Sequence, residues 1–446
     1  MEAERFREWL FSLRRSGVHP SLAPTRSVLA ALGHPDRGYR AVQVVGTVGK
    51  GSVSATLASL LQQEGRRVGL FTSPHLVHFE ERMRVDGVDA TSAELAEAYR
   101  EIDAAAPWAS DDPRLPGEAG RRGLTFFEWA VVLAARHFAR KGCEVVVWEA
   151  GLGGRWDGTT AARADLTVIS RIDLDHTRTL GETLEAIAAE KAEAFRPGAP
   201  VVSAPQAAAA AEVIARFAAE RGCPLHRFGE DATLGAEGYR EGEVFHPGLR
   251  PRLAGAHQAI NAGVAILAAR RLAALEGRPA PDAEALRRGL EETRWPGRLQ
   301  WLEPSLLCDG FHNRAGAEAS AAALPALLEG RPLHLVFGCL KDRDPLALLE
   351  PFLPLIRRLT LVSPVSERGL DARTYHAEVA RRVPGAVLAG RLPELLEGGR
   401  PPADAAGGEV TMVGGSLYLV GELLALREGT APDPGEATTE VAAAAP

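Results

Sequence analysis

The segment Val44-Val45-Gly46-Thr47-Val48-Gly49-Lys50-Gly51-Ser52 runs from an apolar stretch into a glycine-rich loop that holds one lysine and one serine. The apolar residues 41–45 predict a short buried strand, and the amphipathic pattern over 53–63 predicts a helix. Glycines at such a turn let backbone N–H groups converge on phosphate oxygens, to which the helix N-terminus adds partial positive charge. A tight turn also uses glycines, but the lysine and serine at the helix start favour a nucleotide-binding loop.

This loop differs from the common phosphate-binding pattern at both ends. Val44 stands where the first glycine is usual, and Gly51 separates Lys50 from Ser52. We expect Lys50 to reach the β- and γ-phosphates of ATP and the Ser52 hydroxyl to bind Mg²⁺. The remaining residues of the predicted nucleotide loop are Gly46, Thr47, Gly49 and Gly51.

Length, composition and charge indicate an ordinary globular protein. A chain of 446 residues suits two or three domains, with 46% hydrophobic and 24% charged residues. The net charge of −7 provides no overall field that would attract nucleic acid or an acidic membrane. The four cysteines form no CxxC pair, and no apolar run approaches the roughly 20 residues of a membrane span. Because the N-terminal segment reads as an amphipathic helix and not a signal peptide, we expect a cytoplasmic protein.

The first part of the chain alternates apolar and amphipathic segments, which predicts a parallel sheet buried on both faces. The predicted strands are 42–45, 68–71, 143–148, 166–169 and 200–203. The predicted helices are 53–64, 126–140, 184–195 and 207–221. We expect a mobile loop over 106–123 and small strands within 224–251, before helices at 256–275 and 282–292.

A second alternation begins at residue 306 and predicts a smaller Rossmann-like α/β domain. Its predicted strands are 306–308, 333–337, 359–362 and 410–413, and its helices are 315–328, 346–355, 372–382 and 417–426. The predicted fold class is therefore α/β, with a phosphate-loop parallel-sheet domain over 1–295 and the Rossmann-like domain over 296–428. The residues 429–446 are of low complexity, and we expect them to be disordered.

Two polar residues follow predicted strands of the first domain, where α/β proteins bind their ligands. Glu149 ends the strand over 143–148 and is followed by a glycine-rich turn. His176 follows the strand over 166–169. We expect Glu149 to bind Mg²⁺; the alternatives are a solvated carboxylate for Glu149 and a hydrogen-bonded loop residue for His176.

Several longer motifs occur in a fixed order along the chain. They are Leu70-Phe71-Thr72-Ser73-Pro74-His75-Leu76, Glu149-Ala150-Gly151-Leu152-Gly153-Gly154-Arg155-Trp156-Asp157 and Asp309-Gly310-Phe311-His312-Asn313, with shorter matches at 79–82, 125–128, 173–176, 190–192, 257–261, 296–298 and 415–422. Together they resemble the folylpolyglutamate synthase and dihydrofolate synthase family of the Mur ligase superfamily. The resemblance covers residues 40–427, nearly the whole chain.

The resemblance implies two Mg²⁺ ions, one of them held by Glu149, His176 and the Ser73 hydroxyl. Hard oxygen ligands with one imidazole suit this ion. The resemblance also implies that Lys191 is carbamylated and supports the metal site, whereas a solvated surface lysine is the alternative. The catalytic residues that follow from it are Lys50, Lys191, His176 and His312.

The same resemblance implies the substrate contacts. The folate would be held by Thr125, Phe127, Arg155 and Asp157, although Phe127 is equally suited to a core position. The second half would complete the ATP site with Asn261, Arg298 and Asp309. Glutamate would contact His312 and Ser416, with Lys341, Asp342 and Asp344 as further candidates for glutamate or nucleotide.

The function implied is ATP-dependent ligation of L-glutamate to dihydropteroate or a reduced folate through an acyl phosphate, by a monomer whose partners are small molecules. The alternatives are another Mur-type ligase acting on a different carboxylate, and a regulatory ATPase. Both synthase activities on one chain is the favoured interpretation, which the sequence leaves open. Val48 and Arg314 depart from the family pattern, where Asn and Pro are usual.

Overall fold

The computed structural model of the chain describes residues 3–13, 20–114, 122–396, 399 and 408–435. Its helices are α1 (Ala3–Ser12), α2 (Ala23–Ala31), α3 (Lys50–Gln63), α4 (Ser92–Ala105), α5 (Phe126–Arg140), α6 (Thr177–Leu180), α7 (Leu184–Ala192), α8 (Ala208–Glu220), α9 (Ala256–Leu275), α10 (Ala283–Glu292), α11 (Arg314–Leu328), α12 (Pro345–Leu349), α13 (His376–Arg382), α14 (Leu392–Leu395) and α15 (Leu417–Glu428).

The strands are β1 (Arg40–Val45), β2 (Val68–Phe71), β3 (Met83–Val85), β4 (Val88–Asp89), β5 (Val145–Glu149), β6 (Leu166–Ile169), β7 (Val201–Ser203), β8 (Leu225–Arg227), β9 (Ala232–Gly235), β10 (Gly238–Glu241), β11 (Val244–Pro247), β12 (Gln300–Glu303), β13 (Leu306–Asp309), β14 (Leu333–Phe337), β15 (Ile356–Leu361), β16 (Val387–Leu388) and β17 (Val410–Gly414).

The first sheet has eight strands in the order β4-β3-β2-β5-β1-β6-β7-β8. The six strands β2, β5, β1, β6, β7 and β8 are parallel to one another, whereas β3 and β4 form an antiparallel edge beside β2. Both faces of the sheet are covered by helices. On one face, Val147 of β5 packs in the core with α3 and α9, and on the other face its neighbour Trp148 packs with α5. Burial on both faces explains why these strands are almost wholly apolar, and it confirms the predicted parallel sheet.

Helix α3 begins earlier than its amphipathic pattern predicts. The pattern starts at Val53, but the helix starts at Lys50, with Gly49 before it in the left-handed conformation (φ 89°). The residues Lys50, Gly51 and Ser52 therefore form its first turn, and their backbone N–H groups are among those that a helix leaves unpaired.

The second sheet has six strands in the order β12-β13-β17-β14-β15-β16, parallel except for β12 at one edge. This confirms the predicted second α/β region. The helix predicted over 346–355 is wrong in length: α12 ends at Leu349 and a short 3-10 turn follows. Pro351 and Pro354 account for the early end, because proline provides no N–H for the helix.

Two further segments can be set beside the predicted elements. The small strands expected within 224–251 are present as β8 and the antiparallel sheet β9–β11. The loop predicted over 106–123 contains a 3-10 turn (Pro107–Ser110), and its residues 115–121 lie outside the described part. No helix in the described part is long and apolar enough to cross a bilayer.

The predicted disorder of 429–446 is wrong for its first residues. Residues 429–435 are described, and Asp433 bonds to Arg7 of α1 and to the Phe79 N–H. These contacts offset the low hydrophobicity of the segment, because they tie it to the first half of the chain. Residues 436–446 lie outside the described residues.

Candidate functional site

The carboxyl ends of the two parallel sheets face each other across a cleft of about 480 Å³. The first sheet contributes the glycine loop after β1, Ser73 after β2 and Glu149 at the end of β5. The second sheet contributes Asp309 at the end of β13 and Ser416 after β17. Both halves of the molecule are therefore needed to form the site, as expected for ligands of parallel α/β sheets.

The glycine loop is held so closely that side chains are excluded at two of its positions. A Cβ on Gly46 (φ 141°) would lie 2.0 Å from the Ser170 Oγ, and one on Gly49 would lie 2.5 Å from the Asn261 Oδ1. The backbone can therefore approach a ligand, as a phosphate cradle requires. Lys50 is only weakly engaged, since its Nζ donates to the Thr47 carbonyl at 3.5 Å.

Helix α9 braces this loop through an amide pair. The Gln258 Nε2 donates to the Ser52 Oγ at 3.2 Å, and the Asn261 Nδ2 donates to the Gln258 Oε1 at 3.0 Å. The predicted ATP residue Asn261 thus lies beside Gly49 and lines the cleft. Gln258, which the sequence reasoning assigned no role, fixes the Ser52 hydroxyl through its side-chain amide.

Glu149 is a buried carboxylate at the end of β5. Its Oε2 accepts from the Ser73 N–H at 3.2 Å. Burial raises the pKa of Glu149 to about 7, against the opposing effect of the nearby Lys50 cation. An ion or a phosphate-bound cation in the cleft would restore the charged form, so this residue is suited to binding a cation.

Lys191 is buried and not a solvated surface lysine. It is 4% exposed, and its Nζ donates to the Gly46 carbonyl at 2.7 Å. Burial, together with the Lys50 cation, lowers the pKa of Lys191 to about 7. A substantial fraction of this amine is thus uncharged at neutral pH, which makes it a nucleophile.

His176 lines the cleft at the start of α6, in the left-handed conformation (φ 50°). Burial lowers the pKa of His176, so its imidazole is neutral at pH 7 and has a lone pair for a metal. The preceding residue, Asp175, contacts the second half: it accepts from the Asn313 Nδ2 at 2.9 Å and forms an ion pair with Arg343. Although burial opposes its ionisation, Arg343 holds the pKa of Asp175 well below its usual range.

Two polar residues at the edge of the second sheet accept hydrogen bonds from backbone N–H groups close to them in the chain. The Asp309 carboxylate accepts from the Leu299 and Phe311 N–H groups, both at 2.8 Å. The Ser416 Oγ accepts from the Tyr418 N–H at 3.1 Å and caps α15. These residues line the cleft as predicted, and they also shape the loops around it.

His312 and Arg298 lie on the same side of the cleft. The His312 Nδ1 lies 3.0 Å from the Gly310 carbonyl, which can only accept, so Nδ1 carries the proton and Nε2 keeps a lone pair. Burial lowers the pKa of His312 to about 4, which leaves the ring neutral. The Arg298 guanidinium lowers the pKa values of Glu149 and Asp309, both otherwise raised by burial, and so lies within electrostatic reach of both sheets.

Three of the four predicted folate residues line the cleft. Phe127 packs edge-on against Phe71 at 5.9 Å, so it is both a core residue and part of the wall. Thr125 caps α5, and Asp157 accepts from the Leu152 and Thr159 N–H groups. Arg155 does not line the cleft, because it turns outward to pair with Glu193 at 2.7 Å.

The weaker candidates and Arg314 do not line the cleft, whereas Val48, the other departure from the family pattern, does. Lys341 donates to the Glu367 carbonyl and Asp344 caps α12, whereas Asp342 pairs with Arg368. Val48 forms a β-bridge with Arg171, and Arg314 pairs with Glu318 on the surface. The sequence reasoning missed Arg343 and Arg368, which line the cleft. Arg343 stands two residues from the candidate Lys341, whereas no sequence motif pointed to Arg368.

The residues predicted to bind Mg²⁺ fit that ion only with help from a ligand. Ser52, Ser73, Glu149 and His176 all line the cleft and offer oxygen or imidazole donors. In the described part of the chain, no three His, Cys, Asp or Glu side chains cluster closely enough to hold a metal by themselves. Mg²⁺ commonly takes only one or two protein ligands and completes its shell with phosphate oxygens and water, which this donor set allows.

Known proteins resemble this chain over most of its length, in both sequence and structure. No protein-family model matches it. A dihydrofolate synthase/folylpolyglutamate synthase of Bacillus subtilis (strain 168) is 35% identical over 369 residues, 80% of this chain and 82% of the relative. Mycobacterium tuberculosis folylpolyglutamate synthase complexed with ADP has a TM-score of 0.83 at 27% identity, covering 97% of this chain and 99% of that one. E. coli FolC in complex with DHPP and ADP has a TM-score of 0.80 at 26% identity, covering 95% and 97%.

Proposed function

This chain belongs to the dihydrofolate synthase/folylpolyglutamate synthase family, and from that premise we propose how its cleft performs the reaction. The predicted family is confirmed, and the chain is an ATP-dependent ligase that joins glutamate to folates. The observation that carries the proposed mechanism is the cleft itself, where the glycine loop and Lys50 of one sheet face Asp309, His312 and Ser416 of the other. A nucleotide held by the first sheet and an amino acid held by the second would meet there.

The first step is phosphorylation of the folate carboxylate by ATP, which gives an acyl phosphate and ADP. The loop N–H groups and the Lys50 ammonium would hold the β- and γ-phosphates, and Arg298 would contact them from the opposite side. Ser52, Ser73, Glu149 and His176 would hold Mg²⁺, which supplies charge neutralisation for the phosphates when bound. Asn261 and Asp309 would bind the rest of the nucleotide.

Lys191 is proposed to be carbamylated. Its amine is buried and close to neutrality at pH 7, so it can attack CO₂ and lose a proton, which gives a carboxylate on a long side chain. The change converts a cation beside Gly46 into an anion, and an anion there would attract the metal ions that accompany ATP. We propose that this carboxylate supports a second Mg²⁺ ion.

The second step is attack of the glutamate amine on the acyl phosphate, followed by collapse of a tetrahedral intermediate and release of phosphate. His312 would contact the glutamate amine through Nε2, which keeps a lone pair because Nδ1 carries the ring proton. Ser416 would contact the glutamate. No covalent enzyme intermediate is required, so no nucleophilic serine or cysteine is needed.

The folate would lie against the wall formed by Thr125, Phe127 and Asp157. The Phe127 ring offers a face or edge to a pterin, and the Asp157 carboxylate has further lone pairs for the amino groups of the ring. We withdraw Arg155 from this set because its guanidinium pairs with Glu193 outside the cleft.

We also propose a cytoplasmic monomer with small-molecule substrates. The four cysteines are free and buried, as suits a reducing compartment. The cleft is lined by residues from both halves of a single chain, so a second copy is not needed to complete it.

The decisive experiment measures ADP release with glutamate and either dihydropteroate or tetrahydrofolate. We expect turnover with both, which would establish both synthase activities on one chain. Turnover with one substrate alone would restrict the activity, and turnover with neither would favour a Mur-type ligase for a different carboxylate. The Lys50→Ala variant serves as the control, since its kcat/KM for ADP release should be about a thousandfold lower with either substrate.

A further inference from the structure

The turn that carries Ser73 into the cleft is held by two carboxylates from different parts of the chain. Glu81 accepts the N–H groups of the three residues from Leu76 to His78, at 2.9, 2.7 and 2.7 Å. The next N–H, of Phe79, donates to the Asp433 Oδ2 at 2.9 Å. Glu81 belongs to the turn's own 3-10 helix, whereas Asp433 comes from beyond the last helix of the second half.

Every polar atom of Asp433 contacts either this turn or α1. Its N–H donates to the Val77 carbonyl at 2.7 Å, and its own carbonyl lies 3.5 Å from the His75 Nε2. Its two carboxylate oxygens lie 2.5 and 2.6 Å from the Arg7 Nη2. The Asp433 side chain is 13% exposed, so the ion pair is largely shielded from water.

The buried His75 fixes the direction of one of these contacts. The Arg82 Nε donates to the His75 Nδ1 at 3.0 Å, so the ring proton must reside on Nε2, which donates to the Asp433 carbonyl. The His75 ring thus joins the turn to both Arg82 and the Asp433 backbone.

The segment that ends in Asp433 begins in the cleft. Ser416 lines the cleft at the start of α15, and α15 then packs directly on the turn: a Cβ on Gly421 would lie 2.1 Å from the Leu76 carbonyl oxygen. From the end of α15 at Glu428, the chain continues to Asp433 and back over the turn. One continuous segment thus contacts the glutamate side of the cleft at one end and clamps the Ser73 turn at the other.

We propose that Asp433 is a positioning residue for the ligase reaction: it fixes the Ser73 turn relative to α15, and thereby sets the Ser73 and Glu149 pair against the second sheet. The proposal rests on the proposed role of Ser73 and Glu149 at the nucleotide phosphates. Ser73 stands only two residues from His75, and its N–H donates to the Glu149 carboxylate, so a shift of the turn moves both groups. Asp433 itself does not line the cleft.

The test compares Asp433→Ala with Glu428→Ala. Glu428 offers a matched control, because it also joins this segment to the turn, by an ion pair with His78 at 3.3 Å, but that pair is exposed and contributes little. We expect Asp433→Ala to raise the KM for ATP about tenfold, the factor typical of one charge-assisted hydrogen bond, with the KM for glutamate unchanged. Glu428→Ala should leave both constants at their wild-type values.

Amide hydrogen exchange of the peptide over 75–82 provides a readout independent of turnover. It should become faster in Asp433→Ala and stay unchanged in Glu428→Ala. Asp433→Asn keeps an acceptor for the Phe79 N–H and should recover most of the exchange protection. If Asp433→Ala does not fold, Asp433→Asn and Arg7→Met still test the proposal, because each should raise the KM for ATP by a smaller factor.

Two results would overturn the proposal: an unchanged KM for ATP in the folded variants, or exchange that rises equally throughout the chain. Failure of the proposed function is distinguishable through Ser73→Ala. A wild-type KM for ATP in Ser73→Ala would refute the assigned role of its hydroxyl, whereas the exchange of the turn in the Asp433 variants does not depend on that role.

Discussion

The two sheet edges that face the cleft hold their polar side chains in different ways. At the first-sheet edge, Lys50, Glu149 and Lys191 each form one hydrogen bond with the backbone within the described part of the chain, and burial shifts the pKa values of Glu149 and Lys191 to about 7. At the second-sheet edge, Asp309 and Ser416 are occupied in capping their own loops. The difference indicates that the ionisable groups of the first edge are available for chemistry, whereas the polar groups of the second edge stabilise the loops that shape the cleft.

The largest expected effect is that of Lys50→Ala at the first-sheet edge. Removal of the cation that would contact the phosphates should lower kcat/KM about a thousandfold. Stability should be unchanged, since the hydrogen bond from the Nζ to the Thr47 carbonyl is long, at 3.5 Å. Steady-state kinetics and a thermal melt check this, with the surface variant Lys141→Ala as the control; near wild-type turnover would refute the nucleotide role.

Lys191→Ala should lower kcat about a hundredfold, as expected for a group that supports a metal site. If the native group is a carbamate, acetate should partly restore activity, because a free carboxylate can replace the missing charge. Wild-type enzyme should not respond to acetate. An intact mass without added CO₂, together with no rescue by acetate, would refute the carbamate while leaving the ligase function in place.

Glu149→Gln should separate activity from stability. We expect about a tenfold loss of kcat/KM at saturating Mg²⁺ and a larger loss at low Mg²⁺, since one ligand loses its charge. Because burial raises the pKa of Glu149 from 4.5 to about 7, ionisation destabilises the ligand-free native state as the pH rises through this range. The variant should therefore melt a few degrees above wild type at pH 8, and the difference should vanish below the ordinary carboxyl pKa.

The control for this variant is Glu237→Gln, an exposed surface change in the small antiparallel region. It should alter neither the melting temperature nor the Mg²⁺ requirement at any pH. If Glu149→Gln melts below wild type at pH 8, the inference that the buried Glu149 carboxylate destabilises the ligand-free protein is wrong.

At the second-sheet edge, Asp309→Asn should behave in the opposite way. The amide supplies only one acceptor oxygen, so either the Leu299 or the Phe311 N–H loses its partner, at a cost of about 2 kcal/mol. We expect a lower melting temperature together with a severalfold loss of activity. Asp282→Asn, which changes an exposed cap of α10, should be neutral because Asn caps helices as well as Asp does.

Sequence patterns predicted the elements because strand and helix periodicity are local properties. The apolar runs that became β1, β2 and β14 were recognisable from their residues alone, and α5 and α9 have the predicted bounds. The glycine loop was predictable for the same reason, because its strand, turn and helix are contiguous. The errors lie where local pattern competes with other factors: α12 stops before Pro351, and α3 starts three residues before its amphipathic pattern.

The candidate residues were also identified from sequence, since most of the predicted site residues line the cleft. Their states were not. The packing of helices and loops around each side chain decides these states. It buries Lys191, turns Arg155 outward and lets Asp309 accept a hydrogen bond from its own loop. Electrostatic shifts depend on this burial, so no local pattern encodes them.

The amino-acid order fixes which segments form strands, helices and a phosphate-type loop, because these depend on neighbours a few residues away. It does not reveal that Asp175 meets Asn313 and Arg343, which are 138 and 168 residues further along the chain, or that Asp433 reaches back to Arg7. Such contacts exist only once the two sheets have docked, since each needs a charged group to be brought out of water beside a specific partner. The loop was therefore predictable from its own residues, and the cleft emerged only from the packing of the two halves.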